Sequence, residues 1–222
     1  RPDVLPTGRN FYSVDTRTIP TPAAWTLGWK SASLLVERYA QEHGEWPKRM
    51  VLSVWGTSNM RTGGDDIAQA LALMGVQPVW EAASRRVTGF EVMPVAALDR
   101  PRVDITLRVS GFFRDAFPAQ IDLFDSAVRA VAALDEEVTD NPLAAQVRED
   151  VAKLVSSGET QKNAVQKAAY RVFGSKPGAY GAGLQALIDE SGWQDSRDLA
   201  RAYIAWGGYA YGGGAEGAAE HT

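Results

Sequence analysis

The chain has 222 residues and 24.0 kDa, with 45% hydrophobic and 23% charged residues, a net charge of −4 and a pI near 5.3. Those proportions describe a globular protein, and area scaling leaves about 9,900 Å² exposed of roughly 35,000 Å² in the unfolded chain, enough for one large domain or two small ones. There is no basic stripe, no apolar run near the roughly 20 residues of a membrane span, and no cysteine, which argues against nucleic-acid binding, membrane insertion, disulfides, thiolate metal sites and cysteine nucleophiles.

His43 and His221 lie far apart, so neither a His-rich metal site nor an HExxH motif can be built. The start at Arg1, without methionine or signal-like segment, reads as a piece of a longer polypeptide. The lack of cysteine fits a reducing, cytoplasmic setting.

Residues 1–48 read as a polar loop followed by an amphipathic helix. Pro2, Pro6, Pro20 and Pro22 break any periodicity over the first turns of chain. The polar residues there (Thr7, Arg9, Asn10, Ser13, Asp15) either serve a site or form a plain tail. From Ala23, the residues Trp25, Leu27, Trp29, Ala32, Leu35, Val36 and Tyr39 recur at helical spacing, and Gly44 with Pro47 ends the helix. Trp25 and Trp29 read as core anchors.

Residues 49–135 read as an α/β unit with ligand loops. Met50–Trp55 is a buried strand, Gly56–Gly64 a Gly-rich loop, and Asp65–Met74 a helix with Ile67, Ala70, Leu71 and Met74 on one face. Val76–Trp80 and Val87–Val92 are further strands. Val103–Val109 alternates, with Val103, Ile105, Leu107 and Val109 on one side, which predicts an edge strand or a face turned to a site. A helix follows from Pro118 to Leu134. This alternation implies an open, mostly parallel sheet with flanking helices.

Residues 136–222 read as an appended C-terminal α-helical region, with helices near 142–156, 160–173, 181–190 and 196–206. The Gly207–Gly214 stretch is either frayed or part of an interface.

Ligands of an open α/β sheet bind beyond the carboxyl ends of its strands, and helix N-termini there offer free N–H groups to anions. Trp55–Asp66 is such a place, and Thr57, Ser58, Asn59, Arg61 and Thr62 add polar side chains. It lacks the Gly-Lys-Ser/Thr of a phosphate loop and is not GxGxxG, so nucleotide hydrolysis is not expected here. Asp65 and Asp66 either cap a helix and complement its dipole, or line a cleft where they accept protons or hold a divalent cation. Ser110–Asp115 follows the next strand. There Arg114 either clamps a ligand carboxylate, oriented by Asp115, or fixes the loop through a local pair. Gly178–Gly183 is a Gly-rich turn whose Tyr180 could stack on a flat ligand.

Several segments run in the order of one family: Pro6–Asn10, Trp55–Asn59 with Thr62–Asp66, Pro101–Asp104, Ser110–Phe117 and Gly178–Gly183. The chain resembles the C-terminal part of the large subunit of cobaltochelatase, whose related branch is the magnesium-chelatase H subunit. Thr62-Gly-Gly-Asp-Asp66 and Gly178-Ala-Tyr-Gly-Ala-Gly-Leu184 lean to the cobalt side.

The resemblance implies a tetrapyrrole-binding subunit that inserts Co²⁺, as substrate, into hydrogenobyrinic acid a,c-diamide in aerobic cobalamin biosynthesis. ATP and Mg²⁺ would be used by partners, an AAA+ ATPase subunit and its companion, alongside the remainder of the same large subunit. Asp65 and Asp66 are the catalytic candidates, because the two polar loops after the strand ends converge on one crevice and not because the resemblance assigns them. Arg9, Asn10, Thr57, Ser58, Asn59, Arg61, Thr62, Arg114, Asp115 and Tyr180 are the substrate-binding candidates, with the metal ligands unassigned. Two alternatives stay open: a fragment of an H-type subunit inserting Mg²⁺ into protoporphyrin, or a non-catalytic docking module for the ATPase partners.

Overall fold

The computed structural model describes residues 14–213 and 217–219. A 3-10 turn, Thr16–Thr18, leads into α1 (Pro22–His43). Thr21 caps α1 by accepting the Ala24 N–H, proline occupies its first turn, and Gly44 at φ 75° ends it. Its buried stripe is Ala24, Gly28, Ala32 and Val36, at four-residue spacing, with Trp25 and Trp29 packed against the core beside it.

Then follow β1 (Arg49–Val54), α2 (Gly56–Thr62), α3 (Asp65–Met74), β2 (Val76–Trp80), β3 (Val87–Val92) and α4 (Val95–Leu98). Next come β4 (Asp104–Val109), α5 (Gly111–Ala116), α6 (Pro118–Ala132), α7 (Pro142–Ser156) and α8 (Gln161–Ala168). The chain closes with β5 (Val172–Gly174), α9 (Gln185–Asp189), α10 (Ser196–Trp206), β6 (Tyr209–Ala210) and β7 (Ala218–Ala219).

The central sheet has the order β1-β4-β5-β6-β7. The β1, β4 and β5 strands are parallel, in register from Arg49↔Asp104 to Val54↔Val109 and from Leu107↔Val172 to Val109↔Gly174. The short β6 and β7 continue it antiparallel. A mostly parallel sheet flanked by helices is therefore what the sequence predicts and what the fold contains. Ile105, Leu107 and Val109 are buried with Ile67, Leu71, Phe124 and Val128, so one sheet face carries the core.

Several local expectations need correction. The segment after β1 is a helix, not a loop: the Gly63 and Gly64 left-handed residues (φ 76° and 92°) separate it from α3, and the many glycines mask seven helical residues. The β4 strand is not an edge; it sits between β1 and β5. Among the described residues, β2 and β3 pair antiparallel only with each other, and Pro78, which has no N–H, suits such an edge strand. Residues 172 and 173, expected at the end of a helix, belong to β5, and residues 181–184 precede α9 rather than belonging to it. Tyr209–Ala210 is a strand whose neighbour Tyr211 is buried.

Buried charges fasten the layers. Arg171 donates to both Asp104 oxygens at 2.6 and 3.1 Å and to the Ala168 and Tyr170 carbonyls, tying the α8–β5 corner to β4. Arg100 and Arg102 donate to the Ala72, Leu73, Met74 and Gly75 carbonyls at the C-terminus of α3. Arg102 also pairs with Glu136 at 2.8 Å, which holds that carboxyl below its ordinary range.

Candidate functional site

The carboxyl ends of β1 and β4 run into α2 and α5, so two short helices start side by side. Ser110 joins them: its Oγ accepts the Phe113 N–H at 3.1 Å as a cap and the Gly56 N–H at 3.3 Å from the neighbouring helix. Glycine is required at both starts. A Cβ on Gly56 would strike the Phe112 ring and come within 2.9 Å of the Phe113 nitrogen. One on Gly111 would meet the Ala179 carbonyl and the Tyr180 ring, both at 2.7 Å. The 176–183 loop thus reaches the same end of the sheet.

The predicted residues fall into two clusters. In the first, fully buried Asn59 donates to the Trp55 carbonyl and to Asp66, both at 2.9 Å, while its own Oδ1 has no partner among the described residues. Burial, and then the neighbouring Asp65 charge, push the Asp66 carboxyl up. Asp65 accepts the Thr62 hydroxyl at 2.6 Å and the Asp66 N–H at 2.9 Å. Both aspartates occupy the first turn of α3 and complement its dipole, while the N-cap position itself is Gly64, without a side-chain bond. Thr57 and Arg61 stand exposed on α2 and Ser58 is half-buried. Arg9 and Asn10 lie outside the described residues.

In the second cluster, Arg114 points inward and is 7% exposed. Its Nη1 donates to the Ser175, Lys176 and Ala179 carbonyls at 3.0, 2.8 and 3.1 Å, and Nε and Nη2 hold Asp115 at 2.7 and 3.0 Å. The arginine therefore fastens the 176–183 loop; of the two roles read from the sequence, the geometry displays the loop-fixing one. Asp115 also accepts the Tyr180 hydroxyl at 2.6 Å, and the Arg114 and Tyr180 bonds hold its carboxyl low. Tyr180 is 61% exposed, with the Arg114 guanidinium 5.5 Å from its ring centre. Asp15 forms no part of either cluster: Arg17 and Arg86 pair with it and lower its carboxyl to about 2.

Sequence reasoning places a crevice where these loops converge but misses Ser53, Arg108 and Tyr203 in its lining. Its lining includes Ser53, Trp55, Arg108, Ser110, Gly181 and Tyr203. The available signal was the polar side of the alternating β4 strand, where Arg108 sits opposite the apolar residues. A second hollow of about 300 Å³, between Phe90 of β3 and Gln120 of α6, contains none of the predicted site residues. Among the described residues no group of three or more His, Cys, Asp or Glu side chains could hold a metal ion, and no helix is long and apolar enough to cross a membrane.

Comparison with known proteins places this geometry in a family. The chain matches CobN/Magnesium Chelatase over residues 1–222. It is 64% identical over 220 residues to the aerobic cobaltochelatase subunit CobN of Sinorhizobium sp, covering 99% of this chain and 17% of that protein. It is 61% identical to the CobN of Pseudomonas aeruginosa, covering 98% of this chain and 17% of that one. To the chloroplastic magnesium-chelatase subunit ChlH of Oryza sativa subsp. japonica it is 35% identical, covering 98% of this chain and 15% of ChlH. The structure is similar to the catalytic subunit of cobaltochelatase from Mycobacterium tuberculosis, with a TM-score of 0.86 at 56% identity, over 94% of this chain and 17% of that one. The chain thus spans about 17% of the length of the CobN relatives it matches, and it belongs to the CobN/Magnesium Chelatase family.

Proposed function

We propose that the chain is part of the tetrapyrrole-binding large subunit of an ATP-dependent cobaltochelatase that inserts Co²⁺ into hydrogenobyrinic acid a,c-diamide. The observation that carries this reading is the contrast in identity over nearly the whole chain: 64% and 61% to aerobic cobaltochelatase subunits against 35% to a magnesium-chelatase subunit. ATP hydrolysis, with its Mg²⁺, belongs in this reading to AAA+ partner subunits, in keeping with the absence of a phosphate-loop sequence.

Insertion requires the ring's inner N–H protons to leave as the cation sheds water. A carboxylate serves as proton acceptor and transient oxygen ligand for such a step. Asp66 suits the first task. Half-buried beside Asp65, it holds a proton more readily than an ordinary aspartate, while Asn59 fixes its orientation. Asp65 is braced by Thr62 and leaves one carboxylate oxygen without a described partner. Arg61 is exposed nearby to attract the acid groups of the substrate.

The test is Co²⁺ insertion by the full-length large subunit with its partners, carrying Asp65→Ala or Asp66→Ala. The expected outcome is a fall in insertion rate of roughly 100-fold for Asp66→Ala, the scale of losing a general base. Undiminished insertion by both variants would remove these residues from the mechanism.

A further inference from the structure

Each of the other inward-pointing arginines of the central sheet region is matched. Arg102 has Glu136, Arg114 has Asp115 and Arg171 has Asp104. Arg100 is bonded to the carbonyls at the end of α3. Arg108 differs. It is half-buried on β4, and no carboxylate of a described residue lies within ion-pair distance. Its one described hydrogen bond runs from Nη2 to the Tyr203 carbonyl at 3.1 Å, and the guanidinium lies 4.5 Å from the centre of the Tyr203 ring. Nε and Nη1 have no described acceptor; Nη1 lies against the Gly207 backbone, and the side chain lines the cleft.

The surroundings specify what would fill that cleft. Parallel register places Ser53 directly beside Arg108, adding an exposed hydroxyl. Trp55 is 57% exposed at one wall and Tyr203 36% exposed at the other, an arrangement that water alone does not favour. Trp206 braces the far side by donating to the Gly181 carbonyl at 3.1 Å, which holds α10 against the loop. The cleft lies at the carboxyl ends of β1 and β4, where ligands of parallel sheets bind. The guanidinium is pressed against Gly207 at the end of α10, where any Cβ would fall on the Arg108 Nη1 atom.

We propose that this cleft is a subsite for a carboxylate side chain of a flat conjugated ring, with Arg108 gripping the carboxylate and Trp55 and Tyr203 flanking the ring edge. The proposal rests on the tetrapyrrole reading above and adds to it a specificity-determining residue outside the aspartate cluster. A guanidinium whose Nε has no described acceptor selects an acid over its amide, because the amide brings an N–H group toward a cation that can only donate.

The experiment uses the full-length large subunit and two probes, hydrogenobyrinic acid a,c-diamide and its fully amidated counterpart, titrated by absorbance. Wild type is expected to prefer the acid, and Arg108→Met to bind the acid about tenfold more weakly or worse while binding the amide almost unchanged. Arg108→Lys should restore part of the preference, and Gly207→Ala, which displaces the guanidinium without removing it, should mimic Arg108→Met. Equal losses for acid and amide, or no loss for either, would overturn the subsite while leaving the corrinoid reading in place. If wild type does not bind the corrinoid, the same comparison is run with a porphyrin dicarboxylate and its diamide. Arg108-dependent preference there keeps the subsite and sinks the corrinoid reading; no binding of either ring overturns both.

Discussion

Replacing Arg114 by methionine separates two roles that the sequence leaves open, a clamp on substrate and a clamp on the protein's own loop. The structure gives its Nη1 three carbonyls of the 175–179 segment as acceptors, all within 3.1 Å. Two N–H groups donate there, and hydrogen bonds from a charged group contribute about 1.5–3 kcal/mol each, so about 3 kcal/mol is the lower bound for the pair. The ion pair with Asp115 adds at most about 1 kcal/mol, because that carboxylate is 43% exposed and screened by solvent. With a urea m-value of about 3 kcal/mol/M for a chain of this length, the midpoint should fall by roughly 1 M. Limited proteolysis of the same variant should cut within 176–183 at least tenfold faster than in wild type, since the clamp closes that loop. A variant that keeps the wild-type midpoint and loop protection but loses corrinoid affinity would refute this reasoning and return Arg114 to the substrate.

Asp104→Asn should cost about 3–5 kcal/mol by chemical denaturation, since it strands the buried Arg171 charge. Joint replacement, Asp104→Leu with Arg171→Met, should recover most of that loss. Gly28→Ala should destabilise by about 1–3 kcal/mol despite the better helix former, because the new Cβ would sit 2.7 Å from the Ala68 Cβ and the Gln69 nitrogen. Asp66 titrates above the ordinary carboxylate value when folded, so its ionisation costs the native state stability that is fully present below the unfolded pKa and lost as pH rises through the folded one. Relative to wild type, Asp66→Asn should therefore gain in denaturant stability as pH is raised from 4 toward neutrality; a difference that shrinks over that range would contradict the assignment. For the same reason the acid limb of the insertion rate should lie at higher pH than an unperturbed aspartate gives, and Asn59→Leu should move it higher still.

The elements that the sequence displays clearly are those with sustained period and clean punctuation. The α1 helix has four-residue spacing with Thr21 before it and Gly44 after it, and α3 is bounded by Gly64 and Gly75. The β4 strand was evident from its alternation, but not its central place, because β5, the strand that covers its other edge, has only three residues and follows a helical pattern without a turn signal. The α2 helix stayed hidden because glycine counts against helix by propensity, while here Gly56 serves a close approach and Gly63 a C-terminal cap.

Site residues divided along similar lines. Arg114 with Asp115 is the pair that the sequence suggests; the structure also joins Asn59 to Asp66, Thr62 to Asp65 and Tyr180 to Asp115, contacts between residues that the sequence offers only as separate candidates. Arg108 and Tyr203, separated by nearly the length of a domain, meet only because β4 and α10 fold onto one end of the sheet. No local pattern encodes a contact of that range. An isolated arginine on the polar side of a strand is the only trace it leaves in the sequence.

The most direct test of the central claim is a segment exchange. The matching part of the Pseudomonas aeruginosa cobaltochelatase subunit is replaced by this chain, and Co²⁺ insertion into hydrogenobyrinic acid a,c-diamide is measured with the partner subunits and ATP present. The account predicts insertion within a few-fold of the parent enzyme, and loss of it when the exchanged segment carries Asp66→Ala. A chimera that folds and assembles but inserts no cobalt, or one indifferent to Asp66→Ala, would contradict it.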